Sequence, residues 1–372
     1  MLDNRKEVAL GKEILPQLIL LAQKAARQLG RLPVFMEVCG THTMVIARSG
    51  LRSLLAGYLE LRSGPGCPVC VTGQEDIDRV ILLARQPSVV IATFGDMLRV
   101  PGTISSLEQE RACQARVKIV YSPAEAVTYA AEHPENTVVF LGVGFETTAP
   151  AIALSIAAAK NQGLSNYTVL SLHKLVPPVI KALLNDPETG VDGFLLPGHV
   201  ATIIGREAFD FVAAGYRVPA VIAGFEPVDI MIAIYLLLKQ ILSGQAQTIN
   251  GYPRLVQEKG NKKAKAIIKE YFELADVTWR GFGPVPQSGL RFKELYSLYD
   301  AATRYPLTVP FSSPPKGCAC ADVLKGKINS PACPLFADAC TPLKPLGPCM
   351  VSSEGSCAAY YQYGWSSKEA KT

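Results

Sequence analysis

Short apolar runs and longer periodic stretches alternate along the first two thirds of the chain. Runs such as SVVIATF at 88–94 and TVVFLGVG at 137–144 are apolar on both faces, whereas the stretches between them repeat apolar residues every three to four positions. The first pattern predicts buried strands and the second predicts amphipathic helices. Buried strands separated by helices are typical of parallel sheets that are covered on both sides. The pattern therefore predicts an α/β fold.

The predicted elements follow one another in regular order. Strands are expected at 34–39, 58–64, 88–96, 116–122, 137–146, 167–174, 193–200 and 219–226. Helices are expected at 13–29, 41–50, 73–85, 147–160, 177–185, 227–242 and 262–274, with one more after residue 122. Thr72 followed by Glu75 predicts a capping box at the start of helix 73–85. Ser122, Pro123 and Glu125 predict another helix start of the same kind.

This alternation predicts two Rossmann-like parallel-sheet α/β domains, at 34–135 and 136–245. The phrase GFE occurs at 144–146 and again at 224–226, each time between a strand and a helix, which indicates similar βα turns. After residue 245 the sequence becomes rich in Pro and Gly. We therefore expect a third, irregular domain at 246–372, joined by the N-terminal helix within 1–33, whose order depends on a bound metal.

Composition and charge narrow the classes of partner. The chain is 49% hydrophobic and carries a net charge of +5 with scattered basic residues. The apolar run near Ile230–Leu238 is much shorter than a membrane span, and the basic run at 259–269 is typical of a solvated helix face. The N-terminal segment lacks the small-residue cleavage site of a secretory signal. We expect a cytoplasmic protein with neither a membrane nor a nucleic-acid partner.

Six of the ten cysteines lie between Cys318 and Cys357. In a cytoplasmic chain such clustering indicates metal or redox chemistry rather than structural disulfides. The stretch has one C-x-C and then gaps of twelve, six, eight and seven residues, without the paired C-x₂₋₄-C knuckles that zinc sites use. Irregular, Pro-rich spacing favours a [4Fe–4S] cluster wrapped by loops, with zinc and structural thiols as the alternatives.

Chemically reactive side chains follow the predicted strands. The carboxyl ends of parallel strands meet at one edge of a sheet, which is where α/β proteins place their sites. Six strand ends carry thiols, imidazoles or carboxylates, at 39–42, 64–70, 94–96, 144–148, 197–199 and 226–229. We expect several of these ends to form one rim.

The motifs at these ends resemble a known family. CGTHT, GPGCPVC, GVGFETT, LPGHV, GFEP and the terminal CAC…CPLF…GPCMVSSEGSC occur in the order found in HypD proteins, and they span most of the chain. The resemblance implies a maturation protein of [NiFe]-hydrogenases, on which an iron with cyanide and carbon monoxide ligands is assembled. It also implies two partners, a small chaperone of the HypC type and a cyanide donor of the HypE type.

Cys39 and His42 are the candidate iron ligands. Cys39 lies where a strand passes into a helix, and a helix N-terminus favours a thiolate. A thiolate and an imidazole with open positions suit an iron that awaits diatomic ligands and a thiol from a partner. The alternatives are a buried, apolar thiol and a hydrogen-bonded turn histidine.

Cys67 and Cys70 form a C-P-V-C dithiol ahead of a helix. Such a pair passes two electrons, although metal ligation and inert thiols remain open. Cys113 has no partner nearby in sequence and is expected to be structural.

Glu146 and His199 complete the candidate residues. Glu146, with Thr147 and Thr148, either binds a ligand or caps a helix, and Glu226 with Asp229 is expected to be capping chemistry. His199, which follows Pro-Gly, is a better candidate than His133 or His173. No complete dinucleotide or phosphate-binding motif occurs in the sequence.

A [4Fe–4S] cluster needs four of the six terminal thiols. Cys318 and Cys320 are two residues apart, with Cα atoms about 7 Å apart in an extended segment, so one of them ligates more easily than both. Either Cys349 or Cys357 is left over at the far end. The resemblance implies Cys318, Cys333, Cys340 and Cys357 as ligands and Cys320 with Cys349 as a redox pair.

Two functions compete at this stage. The first is a redox-active scaffold that builds a metal centre rather than turning over a metabolite. The second is a cluster-dependent thiol–disulfide reductase that resembles ferredoxin:thioredoxin reductase. The CGTH motif favours the scaffold, because a simple reductase does not need a second iron position far upstream of its cluster.

Overall fold

The computed structural model describes residues 4–364, and it is an α/β protein with two parallel sheets. The strands are β1 (Val34–Glu37), β2 (Glu60–Ser63), β3 (Val89–Thr93), β4 (Arg116–Ile119), β5 (Thr137–Gly142), β6 (Tyr167–Ser171), β7 (Gly193–Pro197), β8 (Ala220–Ala223), β9 (Thr248–Asn250), β10 (Phe272–Trp279) and β11 (Gly283–Phe292). The helices are α1 (Asn4–Leu29), α2 (Gly40–Arg48), α3 (Leu51–Leu55), α4 (Pro68–Val71), α5 (Gln74–Ala84), α6 (Leu107–Ala112), α7 (Pro123–Glu132), α8 (Ala149–Asn161), α9 (Val176–Asn185), α10 (Gly198–Ile204), α11 (Asp210–Tyr216), α12 (Pro227–Ser243), α13 (Lys262–Tyr271), α14 (Ala301–Arg304), α15 (Cys320–Leu324) and α16 (Ser356–Ala359).

The first sheet has five parallel strands in the order β2-β1-β7-β8-β9. Phe35 of β1 is fully buried and pairs with Leu61 on one side and Gly193 on the other. Helices α1 and α12 cover one face, where Leu18 and Ala22 pack in the same apolar cluster as Ile234. This sheet therefore joins the N-terminal part of the chain to residues near 250.

The second sheet has four parallel strands in the order β4-β3-β5-β6. Residues of α7 and α8 pack with Phe140 on one face, and residues of α5 pack with Ile91 on the other. Both sheets are thus covered on each side, as the apolar strands require. The prediction of an α/β fold with parallel sheets is confirmed.

The two sheets do not divide the chain at residue 135. That predicted boundary falls inside the four-stranded sheet, between β4 and β5, while β1 pairs with β2 on one side and with the later strand β7 on the other. A parallel strand that is apolar on both faces carries no local mark of its pairing partner, so sequence order alone suggested the wrong division. The four-stranded unit is an insertion into the five-stranded one.

The segment after residue 245 is more ordered than its composition indicates. Strand β9 belongs to the first sheet, and β10 pairs with β11 in an antiparallel hairpin over the Pro/Gly-rich stretch. The predicted helix 262–274 accordingly ends at Tyr271, where β10 begins. The irregular region is confined to the cysteine-rich segment that follows this hairpin.

The helix starts test the capping predictions. The Ser122 hydroxyl accepts a hydrogen bond from the Glu125 amide at 3.3 Å, so the predicted start of α7 is confirmed. The prediction of Thr72 as an N-cap is wrong, because α5 begins one residue later with Gly73 as its N-cap. The Thr72 hydroxyl instead donates to the Pro68 carbonyl at 2.8 Å. No helix within the described residues is long and apolar enough to cross a membrane.

Candidate functional site

A cavity of about 500 Å³ lies at the carboxyl ends of strands from both sheets. Five of the six strand ends singled out in the sequence contribute to its wall, and a C-terminal segment, Ser352–Glu354, contributes as well. The residues that bear on its chemistry are Cys39, Thr41, Asp96, Thr147, Thr148, His199 and Glu354. The end at Glu226–Asp229 is not part of this wall. We call this the Cys39 cavity.

Cys39 is the N-cap of α2, and its backbone is extended, with φ −150° and ψ 124°. Burial raises the pKa of the Cys39 thiol to about 12, although the backbone amides of His42 and Thr41 lower it. The helix N-terminus therefore acts on this sulfur as the sequence indicated, but burial outweighs it. The thiol is protonated at neutral pH, and a metal must displace its proton in order to bind.

Glu354 is the site residue that the sequence analysis missed. Its carboxylate accepts a hydrogen bond from the Thr41 hydroxyl at 2.8 Å, across 313 positions of the chain. A Cβ at Gly40 would lie 2.6 Å from the Glu354 Cβ, so the close approach depends on that glycine. Burial raises the pKa of Glu354, and Asp96 raises it further. No local pattern marks this residue, since it lies in a loop between two cysteines.

His199 lies on the wall formed after β7. Its ring stacks on Phe225 with centroids 3.7 Å apart, and partial burial lowers its pKa. Asp96 and Thr148 belong to the opposite sheet, so the cavity combines an imidazole from one unit with a carboxylate from the other. Asp96 was recognised only as part of a strand end, because a carboxylate after a strand is ordinarily turn chemistry.

His42 is turned away from the wall of the cavity. Its Nε2 lies 2.9 Å from the Gly224 carbonyl, and its ring stacks on Phe225 at 4.8 Å. Burial lowers the pKa of His42 to about 4, so the ring is neutral and Nε2 donates to that carbonyl. This placement corresponds to the hydrogen-bonded histidine that was the alternative to a metal ligand.

The C-P-V-C dithiol lies directly beside Cys39. Cys67 is the N-cap of α4, and its sulfur lies 2.6 Å from the sulfur of Cys70. The Gly40 amide donates to the Gly66 carbonyl at 2.8 Å, which ties the dithiol loop to the Cys39 turn. Burial raises the pKa of Cys70. The structure therefore brings two motifs together that lie 28 residues apart in sequence.

The six terminal cysteines line one small cavity with Leu335, Phe336 and Met350. The sulfurs of Cys320 and Cys349 are 2.6 Å apart. The Cys70 sulfur lies 3.8 Å from the Pro348 carbonyl, next to Cys349. Seven of the ten cysteines belong to one buried cluster, and the partly buried Cys318 packs against it. The cluster includes Cys67 and Cys70 but neither Cys39 nor Cys113. Cys113, expected to be structural, is exposed.

The thiols at this second cavity are the type of ligand that iron–sulfur clusters use. The Cys340 sulfur accepts the Leu346 amide at 3.3 Å, and contact with Cys349 lowers the pKa of Cys357. Soft thiolates within an apolar shell are the usual surroundings of such clusters. Between residues 4 and 364, no three His, Cys, Asp or Glu side chains surround one point that could hold a single ion. In a [4Fe–4S] cluster each thiolate binds its own iron, so such convergence is not required.

The remaining candidates lie outside both cavities. Glu146 is buried, and its Oε1 accepts the Val176 amide at 3.0 Å at the start of α9. Burial raises the pKa of Glu146 to about 7. Asp229 accepts the Glu226 amide at 3.2 Å and pairs with Arg254, which is the capping chemistry expected there.

Comparison with known proteins gives consistent matches over nearly the whole chain. The model of the HypD family, described as the hydrogenase formation hypA family, matches residues 15–364. The hydrogenase maturation factor HypD of Rhodobacter capsulatus is 42% identical over 364 residues, 96% of this chain and 97% of that protein. HypD of Escherichia coli K12 is 41% identical over 337 residues, 90% of each chain. A putative hydrogenase expression/formation protein of Methanocaldococcus jannaschii is 42% identical over 340 residues, 91% and 94% of the two chains.

Proposed function

The chain belongs to the HypD family of hydrogenase maturation factors, and from this we propose that it is a redox-active assembly scaffold. Its cargo is the iron of [NiFe]-hydrogenase, which acquires cyanide and carbon monoxide ligands on it. The observation that carries the proposal is the Cys39 cavity, which places one thiol between two sheets and beside the buried thiol cluster.

Cys39 is the protein's own ligand to the cargo iron in this proposal. Because its thiol is protonated near neutral pH, iron binding releases a proton. The hydroxyl of Thr147 and the ring of His199 face the same space and have no hydrogen-bond partner within the described residues. They are suited to donate hydrogen bonds to cyanide nitrogens. His42 stabilises the wall of the site, because it hydrogen-bonds to the Gly224 carbonyl and stacks on Phe225.

The buried thiols supply the redox function. Oxidation of Cys67 and Cys70 to a disulfide releases two electrons and two protons, and the 2.6 Å separation of their sulfurs allows that bond to form. Cys320 and Cys349 form a second such pair, and Cys318, Cys333, Cys340 and Cys357 are left as ligands of a [4Fe–4S] cluster. The cluster supplies single-electron transfer when bound.

The partners in this proposal deliver what the cavity lacks. A small chaperone of the HypC type brings the iron with its own thiol, and a protein of the HypE type donates cyanide. The alternative function, a cluster-dependent thiol–disulfide reductase, is favoured by the contact between the two dithiols, in which the Cys70 and Cys349 side chains meet. It gives no role to the cavity at Cys39.

The Cys39→Ala variant tests the scaffold. Purified without oxygen together with the chaperone, it should lose the cyanide and carbon monoxide stretching bands in infrared spectra. It should keep the brown colour, because Cys39 lies outside the thiol cluster. Cys113→Ala is the matched control, since that thiol is exposed and remote, and it should keep both signals.

The same preparations also test the cofactor. About four irons and four sulfides per chain are expected in the Cys39→Ala protein, whereas one zinc and no sulfide would contradict the cluster. Infrared bands of full strength in Cys39→Ala would show that Cys39 does not bind the cargo iron.

A further inference from the structure

A larger groove, of about 1030 Å³, lies next to the Cys39 cavity. Its walls are α9, α13 and the β10–β11 hairpin, and we call it the α9–α13 groove. The floor is apolar and is formed by Leu175, Pro178, Ile268, Phe272, Val285 and Leu290. The two spaces meet at one loop, because Glu146 lines the groove while its neighbours Phe145 and Thr147 line the cavity.

The charge on the rim of the groove is positive. Lys181 of α9 and both Lys265 and Lys269 of α13 line it, and none of the three forms an ion pair with any residue between 4 and 364. Lys181 lies over the Phe211 ring at 4.9 Å. Glu273 is the acidic residue on the rim, and it is already paired with Arg291 at 2.7 Å. An occupant with carboxylates would match this rim.

The spacing of the lysines specifies the shape of that occupant. Lys265 and Lys269 are one helical turn apart, which is about 6 Å along α13. Leu274 continues the apolar surface beyond them and is 53% exposed. An amphipathic helix fits such a surface, since its apolar stripe covers the floor and carboxylates four residues apart face the two lysines.

Glu146 lies beneath the apolar floor of the groove. It is 4% exposed, and its Oε2 has no hydrogen-bond partner within the described part of the chain. Because this oxygen is screened from the groove, the apolar floor rather than the carboxylate receives the occupant. The shape of the groove and the positive charge of its rim both fit an amphipathic polypeptide.

We propose that the α9–α13 groove is a docking site for an acidic amphipathic helix of a partner protein. The helix lies along α13 and borders the loop that carries Glu146. Since the same loop forms a wall of the Cys39 cavity, docking there contacts the assembly site without entering it. This goes beyond the proposed function, which does not place any partner in the groove.

Two model peptides test the proposal. One is an 18-residue amphipathic helix with leucines on one face and glutamates four residues apart, and the other has lysine in place of every glutamate. Fluorescence anisotropy should show the acidic peptide binding the wild-type chain at least tenfold more tightly than the basic one. The double variant Lys265→Glu/Lys269→Glu should reverse this preference. The double variant Lys24→Glu/Lys239→Glu, on exposed positions of α1 and α12, is the matched control and should leave it unchanged.

The outcomes separate the alternatives. Equal binding of the two peptides, or an equal effect of the control variant, overturns the proposal. Dodecanoate that displaces the acidic peptide and binds more tightly than it does would make the groove a small-molecule site, which also overturns it. Hydrogen exchange should show peptide-dependent protection at Val176–Asn185 and Lys262–Tyr271. The assay uses no iron, so its failure leaves the assembly function intact, and loss of the infrared bands does not bear on the groove.

Discussion

At the scale of single residues, burial controls which groups carry charge. Burial raises the pKa of Glu37 and of Glu146 to about 7, from an ordinary value of 4.5. Their contribution to stability is complete below pH 4.5 and is lost as the pH rises through 7. Burial lowers the pKa of His42 to about 4 and that of His173 to about 3. Their contribution is complete above pH 6.5 and is lost as the pH falls through those values.

Glu146→Gln isolates one of these effects. Glutamine keeps the acceptor for the Val176 amide but cannot ionise, so the variant escapes the loss of stability that ionisation causes. Between pH 5 and pH 8, the free energy of unfolding of the wild type should fall by up to about 3 kcal/mol relative to the variant. Urea unfolding at the two pH values measures this difference, and parallel profiles would contradict it. Exposed Glu132→Gln is the control and should follow the wild type.

At the scale of elements, the dithiol loop and the Cys39 turn are packed backbone against backbone. A Cβ at Gly66 would lie 2.2 Å from the Cys39 amide nitrogen and 2.4 Å from its Cα. Neither atom belongs to a flexible side chain, so one of the two segments has to shift if a side chain is added. The close approach of Cys39 and the C-P-V-C motif therefore depends on one glycine.

Gly66→Ala should destabilise the protein by about 1–3 kcal/mol, because it overpacks a rigid contact. The same shift should alter the Cys39 cavity. The rate at which iodoacetamide alkylates Cys39 measures this change. Gly215→Ala in α11 is a matched control, since a Cβ there meets nothing within 4 Å. That change should be neutral or stabilise by up to about 1 kcal/mol. Equal unfolding energies for the two variants would contradict the packing argument.

The elements also show how far local sequence determines this fold. The start of α7 at Ser122 and the strand ends at Cys39 and His199 were predictable, because each rests on a few adjacent residues. Glu354 was not, since it meets Thr41 only through the fold. The β10–β11 hairpin was not either, because its Pro/Gly-rich strands are defined by what they pair with. Long-range pairing leaves no trace in a local pattern.

At the scale of the whole molecule, the β10–β11 hairpin holds the two sheets together. The chain crosses from the first sheet to the second near Thr72, which bridges to Trp279 of β10. It crosses back near Lys174, which bridges to Gly289 of β11. Each strand of the hairpin is thus bonded to one of the two segments in which the chain passes between the sheets. The hairpin fixes the relation of the two walls of the Cys39 cavity.

Arg280→Ala should loosen the first crossing. The Arg280 side chain donates to the Thr72 carbonyl at 3.1 Å and to Gln74 Oε1 at 2.6 Å, and the variant removes both bonds. Amide exchange at residues 71–74 should become at least tenfold faster, while the core strand β8 should be unchanged. Arg291→Ala removes an exposed ion pair from the same hairpin and is the control. Unchanged exchange at 71–74 would show that the crossing is held by other contacts.

The interleaved order of the strands has a consequence for biosynthesis. About 130 residues separate the end of β2 from the start of β7, so the central position of the first sheet is still untranslated when β1 and β2 leave the ribosome. At 5–20 residues translated per second, the unpaired edge of β1 remains exposed for on the order of 10 s until β7 is synthesised. All four strands of the second sheet have been translated once the chain reaches Ser171, which precedes β7. The inserted unit can therefore pair all its strands first, although its apolar core is completed only by residues after Tyr271. We expect the nascent N-terminal strands to need shielding by α1 or by a chaperone until β7 arrives.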